Sequence, residues 1–487
     1  MGQGFLNMKM KFLNIKNMSV GIKASIVYTL ASLFSKGLAI ITVPIFTRIM
    51  STDQIGVVNL FSSWQSMIGA IATLALTSGG YMVAMKEYSE ERNQYMSSVL
   101  TLTSLVALLI ACIYYISPTF WNDMMGLSGT LMKLMIISFF ISPAMDFWLA
   151  RQRYEYKYKT AGLITMGCAL CASVCSVIAV IVASQHGLSE LGEVRLVANY
   201  IIMLGVTGVL WMLIMLRGKT FINVEYWKFS LTLSLPLIGN SFAMQILNVS
   251  DRTMIGKMVG NSAVGIYSVL YTVSSISLIV WGAINSSYVP FLFENIEKKN
   301  SSQQIKKTSF EIIAMYALVA LIMTLIAPEI VRVLATEEYY EAIYIMPPIA
   351  AGVFLTSVSN MYSNILIYYK KTSYIMLASG IAASLNVILN YFGISLFGYF
   401  AAAYTTLIAY VLLAVVQAFV AKRMYKSIPN NKENVYDDKK IFYLSIVTIG
   451  ACLFCLILYK NNCIRYLSIG AMLLFGVWIG KNKLNYR

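Results

Sequence analysis

The chain has 487 residues, of which 58% are hydrophobic and only 12% charged, with a mean hydropathy of +0.70. A globular protein is about a quarter charged, so this balance excludes a soluble domain and points to a polytopic membrane protein. The formal net charge of +16 does not imply nucleic acid, because the basic residues are scattered between apolar segments rather than gathered on one domain.

Residues 1–24 carry Lys9, Lys11, Lys16 and Lys23. They lack a short apolar core followed by a small-residue cleavage site, so they read as a retained basic cytoplasmic leader. Apolar runs long enough to cross a bilayer then fall near 25–46, 57–79, 96–117, 131–150, 161–183 and 196–216. A second set lies near 229–249, 264–284, 310–328, 342–368, 374–395 and 398–421, and two more near 441–459 and 464–480. The expected fold is therefore all-α, with about fourteen transmembrane helices.

The loops support that count. With the N-terminus inside, inner segments hold 28 lysines and arginines and outer loops 7, while Lys36 and Lys133 lie within helices. This bias places both termini in the cytoplasm.

An internal repeat organises the helices. Gly56 pairs with Gly265, Tyr81 and Glu87 with Tyr288 and Glu294, Pro118 with Pro328, and Lys159-Thr160 with Lys371-Thr372, at separations of 207 to 212 residues. One nearly constant offset implies two six-helix lobes, 25–217 and 229–421, related by a pseudo-two-fold axis along the membrane normal. Residues 422–440 form a polar cytoplasmic linker to two extra helices within 441–480. The other loops are short and leave no room for a soluble catalytic domain.

Parallel lobes of this kind belong to transporters, whose binding site is expected between them near the midplane. The first helix contains "SIVYTLASLFSKGLAIITVPIF", with Lys36 at its centre. About 22 residues at 1.5 Å rise cover roughly 33 Å, so the ammonium lies beyond snorkelling reach of either surface. Ser25, Thr29, Ser32 and Lys36 share one face, which reads as a hydrated cavity wall. The competing reading pairs Lys36 with a structural acid such as Asp146.

On the seventh helix Ser241, Gln245, Asn248 and Arg252 form a second polar stripe, and the repeat offset sets Gln245 opposite Lys36. Arg252 beside Asp251, and Arg48 near Asp53, read equally well as surface ion pairs. Further polar groups are Asn59, Ser62, Ser63 and Ser66 on the second helix, Asn360, Ser363 and Asn364 on the tenth, and Asn386 and Asn390 on the eleventh. Taken singly, such groups more often join helices than line a path.

Trp64, Tyr267, Tyr271 and Trp281 could stack against sugar faces, but as a group they read as core or interfacial belt, and Tyr271 is the one singled out. The candidate binding set is thus Lys36, Ser32, Arg48, Asn59, Gln245, Asn248, Arg252, Tyr271 and Asn360. Seven cysteines, including Cys168, Cys171, Cys175 and a Cys452-x-x-Cys455 pair, have no histidine near them and read as packing residues. His186, the sole histidine, reads as incidental. No nucleophile elbow, phosphate-cradling loop or metal-ligand cluster is present, so no enzyme activity, cofactor or metal is expected.

Two blocks carry a family resemblance. "SDRTMIGKMVGNSAVGIYSVLYTVSS" supplies Asp251, Arg252, Gly256, Gly265, Ile266 and Tyr267, and "LNVILNYFGISLFGYFAAAYTTLIAY" supplies Asn386, Leu389, Asn390, Phe397, Gly398 and Ala401 to Ala403. With twelve to fourteen helices in two lobes, the chain resembles the bacterial oligosaccharide flippases of the multidrug/oligosaccharidyl-lipid/polysaccharide exporter superfamily over most of residues 20–425. Tyr399-Phe400 departs from the small residue the family favours before the alanines.

The resemblance implies translocation of undecaprenyl-diphosphate-linked sugar units across the bacterial inner membrane for O-antigen or capsule synthesis. It also implies membrane lipids, a polysaccharide polymerase, and a proton or sodium coupling ion as partners. A cationic cavity with amide and hydroxyl walls suits a diphosphate joined to a glycan. A multidrug cation exporter of the same superfamily is the alternative, for which an acidic site is expected. A membrane-embedded polymerase or ligase is disfavoured by the short outer loops.

Overall fold

The computed structural model describes residues 20–78, 80–298, 301–428 and 434–485. Residues 1–19 of the basic leader and 429–433 of the linker lie outside it. The described elements are helices, in chain order α1 (Val20–Ile49), α2 (Thr52–Ala72), α3 (Gly80–Glu87), α4 (Arg92–Ile116), α5 (Pro118–Met125), α6 (Gly129–Ile141), α7 (Pro143–Tyr154), α8 (Tyr158–Gln185) and α9 (Leu191–Gly218). There follow α10 (Val224–Met258), α11 (Asn261–Ser274), α12 (Ser277–Asn295), α13 (Ser302–Leu334), α14 (Met346–Tyr368), α15 (Thr372–Phe397), α16 (Phe400–Lys426), α17 (Asp438–Leu458) and α18 (Asn462–Asn485).

Eleven of the described spans are long and apolar enough to cross a membrane, and thirteen are reached when each bent pair counts as one. One such pair is α11 and α12, bent by 41° where the chain passes Ser275 and Ile276. With the apolar part of α18, Asn462–Leu474, the expected fourteen are accounted for. In lipid only helices satisfy every backbone group within their own segment, which is why the chain is built this way. Large apolar side chains such as Leu163, Ile178, Leu216 and Phe397 stand exposed, the pattern of a surface solvated by acyl chains.

The chain forms two compact units. One holds residues up to 49, 69–122 and 128–238. Within it α1 packs on α8, α8 on α9, and α4 on α6 and α9. An aromatic group closes one end: Tyr81 stacks on Phe147 at 5.3 Å and donates its hydroxyl to the Phe147 carbonyl at 3.0 Å, while Tyr95 meets Ser230 at 2.7 Å.

The other unit holds residues 50–68, 123–127 and 239 onward. Its centre is α14, whose residues are buried along nearly the whole length against α13, α16 and α17. Here Tyr288, the repeat partner of Tyr81, is likewise buried and bonded through its hydroxyl, to Ser309 at 2.7 Å. Helices α7 and α14 also end alike. Tyr156 and Lys370 have positive φ, and the amides of Lys157 and Lys371 reach back to the carbonyls of Gln152 and Leu366 at 2.9 and 2.8 Å, a Schellman-type closure.

Candidate functional site

The polar stripe on α10 becomes a defined cluster. Asn248 accepts a hydrogen bond at Oδ1 from the Tyr410 hydroxyl of α16 at 3.0 Å. One turn further, Arg252 donates from Nη1 to the Asn248 carbonyl at 3.0 Å. Its guanidinium carbon lies 4.5 Å from the ring centre of Tyr271 on α11. A guanidinium over an aromatic face is held by the ring quadrupole, which fixes its plane without consuming its donors.

Beneath it Asp251 is 1% exposed. It accepts from the Tyr267 hydroxyl at 2.5 Å and from the Arg252 backbone N–H at 2.9 Å. The surface ion pair, the alternative reading of Asp251 and Arg252, is not formed among the described residues. The carboxyl points inward to a tyrosine, and the guanidinium lies over another ring. Of the five guanidinium N–H donors, only Nη1 has a hydrogen-bond acceptor among the described residues. The arrangement is an oriented cation with donors to spare, suited to a bidentate anionic group.

Asn248, Arg252 and Tyr271 are thus brought together, and Asp251, Tyr267 and Tyr410 join them as supports. Gln245 on α10 and Asn360 on α14 belong to the same unit. Both are half-buried. Asn59 donates to the Ile55 carbonyl of its own helix at 2.9 Å, and Ser62, Ser63 and Ser66 likewise bond back along α2.

Other polar groups serve packing. Asn386 accepts from Ser250 at 2.9 Å and from Asn390 at 3.1 Å, and donates to Thr406 at 3.3 Å, which ties α10, α15 and α16 together. Ser359 and Ser363 of α14 both donate to Gln417 of α16. Asn364 donates to Asn285 at 3.0 Å. Trp64 bonds the Met125 carbonyl at 3.0 Å, and Tyr267 and Trp281 are buried. The seven cysteines are free thiols, with Cys452 and Cys455 buried.

Ser32, Lys36 and Arg48 lie on α1 in the first unit. All three are exposed, as is Thr29. Arg48 donates to the Pro44 carbonyl at 2.9 Å. No ion pair joins Lys36 to Asp146 among the described residues.

Residues 22–296, more than half the chain, match the family model described as polysaccharide biosynthesis protein. The chain belongs to that family. Residues 236–392 also match the MatE model. No curated protein matches the chain. Among solved structures, the chain is similar to the inward closed conformation of the lipid II flippase MurJ, at 16% identity over 94% of this chain and 99% of that one, with a TM-score of 0.63.

It is also similar to an inward-facing multidrug resistance MATE family transporter of the MOP superfamily, at 15% identity over 82% and 96% of the two chains, TM-score 0.54. An outward-facing structure of such a transporter gives 14%, 84%, 97% and 0.53. At these identities the likeness establishes the fold. The protein is a multi-pass membrane protein with the fold of these structures.

Proposed function

We propose that the protein is a flippase that moves undecaprenyl-diphosphate-linked oligosaccharide units from the cytoplasmic to the outer leaflet of the bacterial inner membrane, for O-antigen or capsular polysaccharide synthesis. The observation that carries this reading is Arg252, oriented over Tyr271 with most of its donors uncommitted, in a chain of the polysaccharide biosynthesis family. A diphosphate needs cationic donors in low dielectric, and a sugar face needs an aromatic ring and amides. Arg252, Lys36 and Arg48 supply the charge. Tyr271, Gln245, Asn248, Asn59, Asn360 and Ser32 supply the neutral contacts.

Translocation proceeds by alternating access, with six-helix lobes at 25–217 and 229–421, both termini cytoplasmic, and no covalent chemistry. The cargo passes to a polysaccharide polymerase. A diphosphate of about two negative charges leaving a negative interior gains roughly 2.3 kcal/mol per charge per 100 mV, so voltage assists export unless protons or sodium compensate the charge. Deletion of the gene tests the proposal: a lipid-linked glycan should accumulate on the cytoplasmic face. Unchanged lipid-linked glycan pools would refute it.

The match of residues 236–392 to the MatE model favours a second reading, a cation-coupled small-molecule or multidrug exporter. That reading predicts drug sensitivity on deletion with no glycan accumulation.

A further inference from the structure

At one end of the first unit, where α4 begins and α7 and α9 finish, side chains enclose a cavity of about 110 Å³. Its wall carries three cations, Arg151, Lys157 and Arg217, against one carboxylate, Glu155. Arg151 is fixed by Glu155 at 2.8 Å and by Asn93 at 2.5 Å. Lys157 takes the other Glu155 oxygen at 2.6 Å. The single carboxylate leaves a surplus of two positive charges.

Two further groups are left open. Arg217 is exposed in the last turn of α9 and has neither an ion pair nor a side-chain hydrogen bond among the described residues. Gln152 is 8% exposed and lines the cavity, yet its side-chain amide has no hydrogen-bond partner among the described residues. An amide that reaches an open recess without a protein partner is free to donate to a group bound there. An anion with several acceptor oxygens satisfies both the amide and the surplus charge.

The position of the cavity selects the kind of anion. The sequence segments around it, 151–159 and 217–228, are inner segments by their basic content. The lining also includes the apolar Trp148, Leu210, Leu213 and Ile214, and Leu213 is exposed on α9 beside Met212 and Leu216. A polar recess that opens onto an apolar, lipid-exposed helix face matches a lipid, with its headgroup in the recess and its chains along the helix. Basic pockets between transmembrane helices at the cytoplasmic side are the usual form of such a site.

We propose that this cavity binds the phosphate of an anionic phospholipid of the cytoplasmic leaflet, held by Arg217, Arg151, Lys157 and the Gln152 amide, with the acyl chains along α9. The site lies within one unit and does not depend on the flippase reading.

Native mass spectrometry of the purified full-length protein tests it, after exchange into detergent with phosphatidylglycerol, phosphatidylcholine or inorganic phosphate. Phosphatidylglycerol should be retained about tenfold better than phosphatidylcholine, and Arg217→Gln and Gln152→Leu should each cut that retention about fivefold. Melting curves establish that the variants are folded, and Gln152→Leu keeps the test valid should Arg217→Gln fail to fold. Equal retention of the two lipids, or unchanged phosphatidylglycerol binding in both variants, would overturn the proposal. Displacement of phosphatidylglycerol by inorganic phosphate would assign the site to a soluble anion and overturn the lipid assignment.

Discussion

Gly56 and Gly265 face each other where the first turns of α2 and α11 cross. A Cβ on Gly56 would come within 1.8 Å of the Asn261 carbonyl oxygen, and a Cβ on Gly265 within 2.1 Å of the Thr52 carbonyl oxygen. Thr52 and Asn261 are separated by 209 residues, as are the two glycines. The contact is therefore reciprocal between the two halves of the sequence repeat. Thr52 and Ser262 seal its edge with a 2.7 Å hydrogen bond.

Gly56→Ala or Gly265→Ala must push backbone from backbone, since neither obstacle is a side chain that can rotate away. Overpacking of this kind costs about 1–3 kcal/mol. Each variant should melt several degrees below the parent in detergent. Gly167→Ala and Gly205→Ala, which meet nothing within 4 Å, should not.

Much of this was legible in the sequence, and the reason is physical. Hydropathy and charge asymmetry report depth in the membrane, so the fourteen spans could be read, and the repeat pointed to the glycines because only glycine permits the backbones to touch. The face of α10 was readable too, because Asn248 and Arg252 lie one turn apart. Depth does not tell which neighbour a face meets. Tyr410 and Tyr271 reach Asn248 and Arg252 from other helices, and Asp251, which looked like a surface partner for Arg252, is buried against Tyr267. For Asn386 and Asn390 the packing reading favoured by residue type holds, since tertiary packing joins them to Ser250 and Thr406.

Tyr267→Phe should destabilise without touching the cargo. It leaves Oδ2 of the buried Asp251 without its donor, a loss of about 1–3 kcal/mol. Thermal melting should show the drop, and Tyr267→Phe, Asp251→Asn together should lose less than the two single effects added.

Around Glu155, burial raises the carboxyl pKa, but hydrogen bonds from Lys157 and Arg151 outweigh it and hold it below the usual carboxylate value of 4.5. A depressed folded pKa gives stability that is present above the unfolded value and is lost as pH falls through the folded one. The stability gap between the parent and Glu155→Gln should be full at neutral pH and shrink below pH 4.5. Melting curves across that range check it, and a gap that widened on acidification would contradict the sign.

Lys36→Gln should leave folding and insertion intact and lower transport sharply, because no buried acid is stranded by its removal. Lys36→Arg should retain part of the activity. With no ion pair between Lys36 and Asp146 among the described residues, adding Asp146→Asn should not rescue Lys36→Gln. Membrane abundance measured beside glycan export separates the outcomes, and rescue by the double substitution would restore the structural pair.

Transport of a diphosphate-linked glycan by an oriented cation can be followed in liposomes. The purified protein is reconstituted with undecaprenyl-diphosphate-linked oligosaccharide, and the glycan that becomes accessible to a membrane-impermeant lectin is followed over time. The protein should accelerate exposure at least about tenfold over protein-free vesicles. Arg252→Gln should remove about 1.4 kcal/mol or more of that advantage, a factor of about ten, at unchanged melting temperature. Exposure no faster than in protein-free vesicles, or an Arg252→Gln variant as fast as the parent, would rule out transport through Arg252.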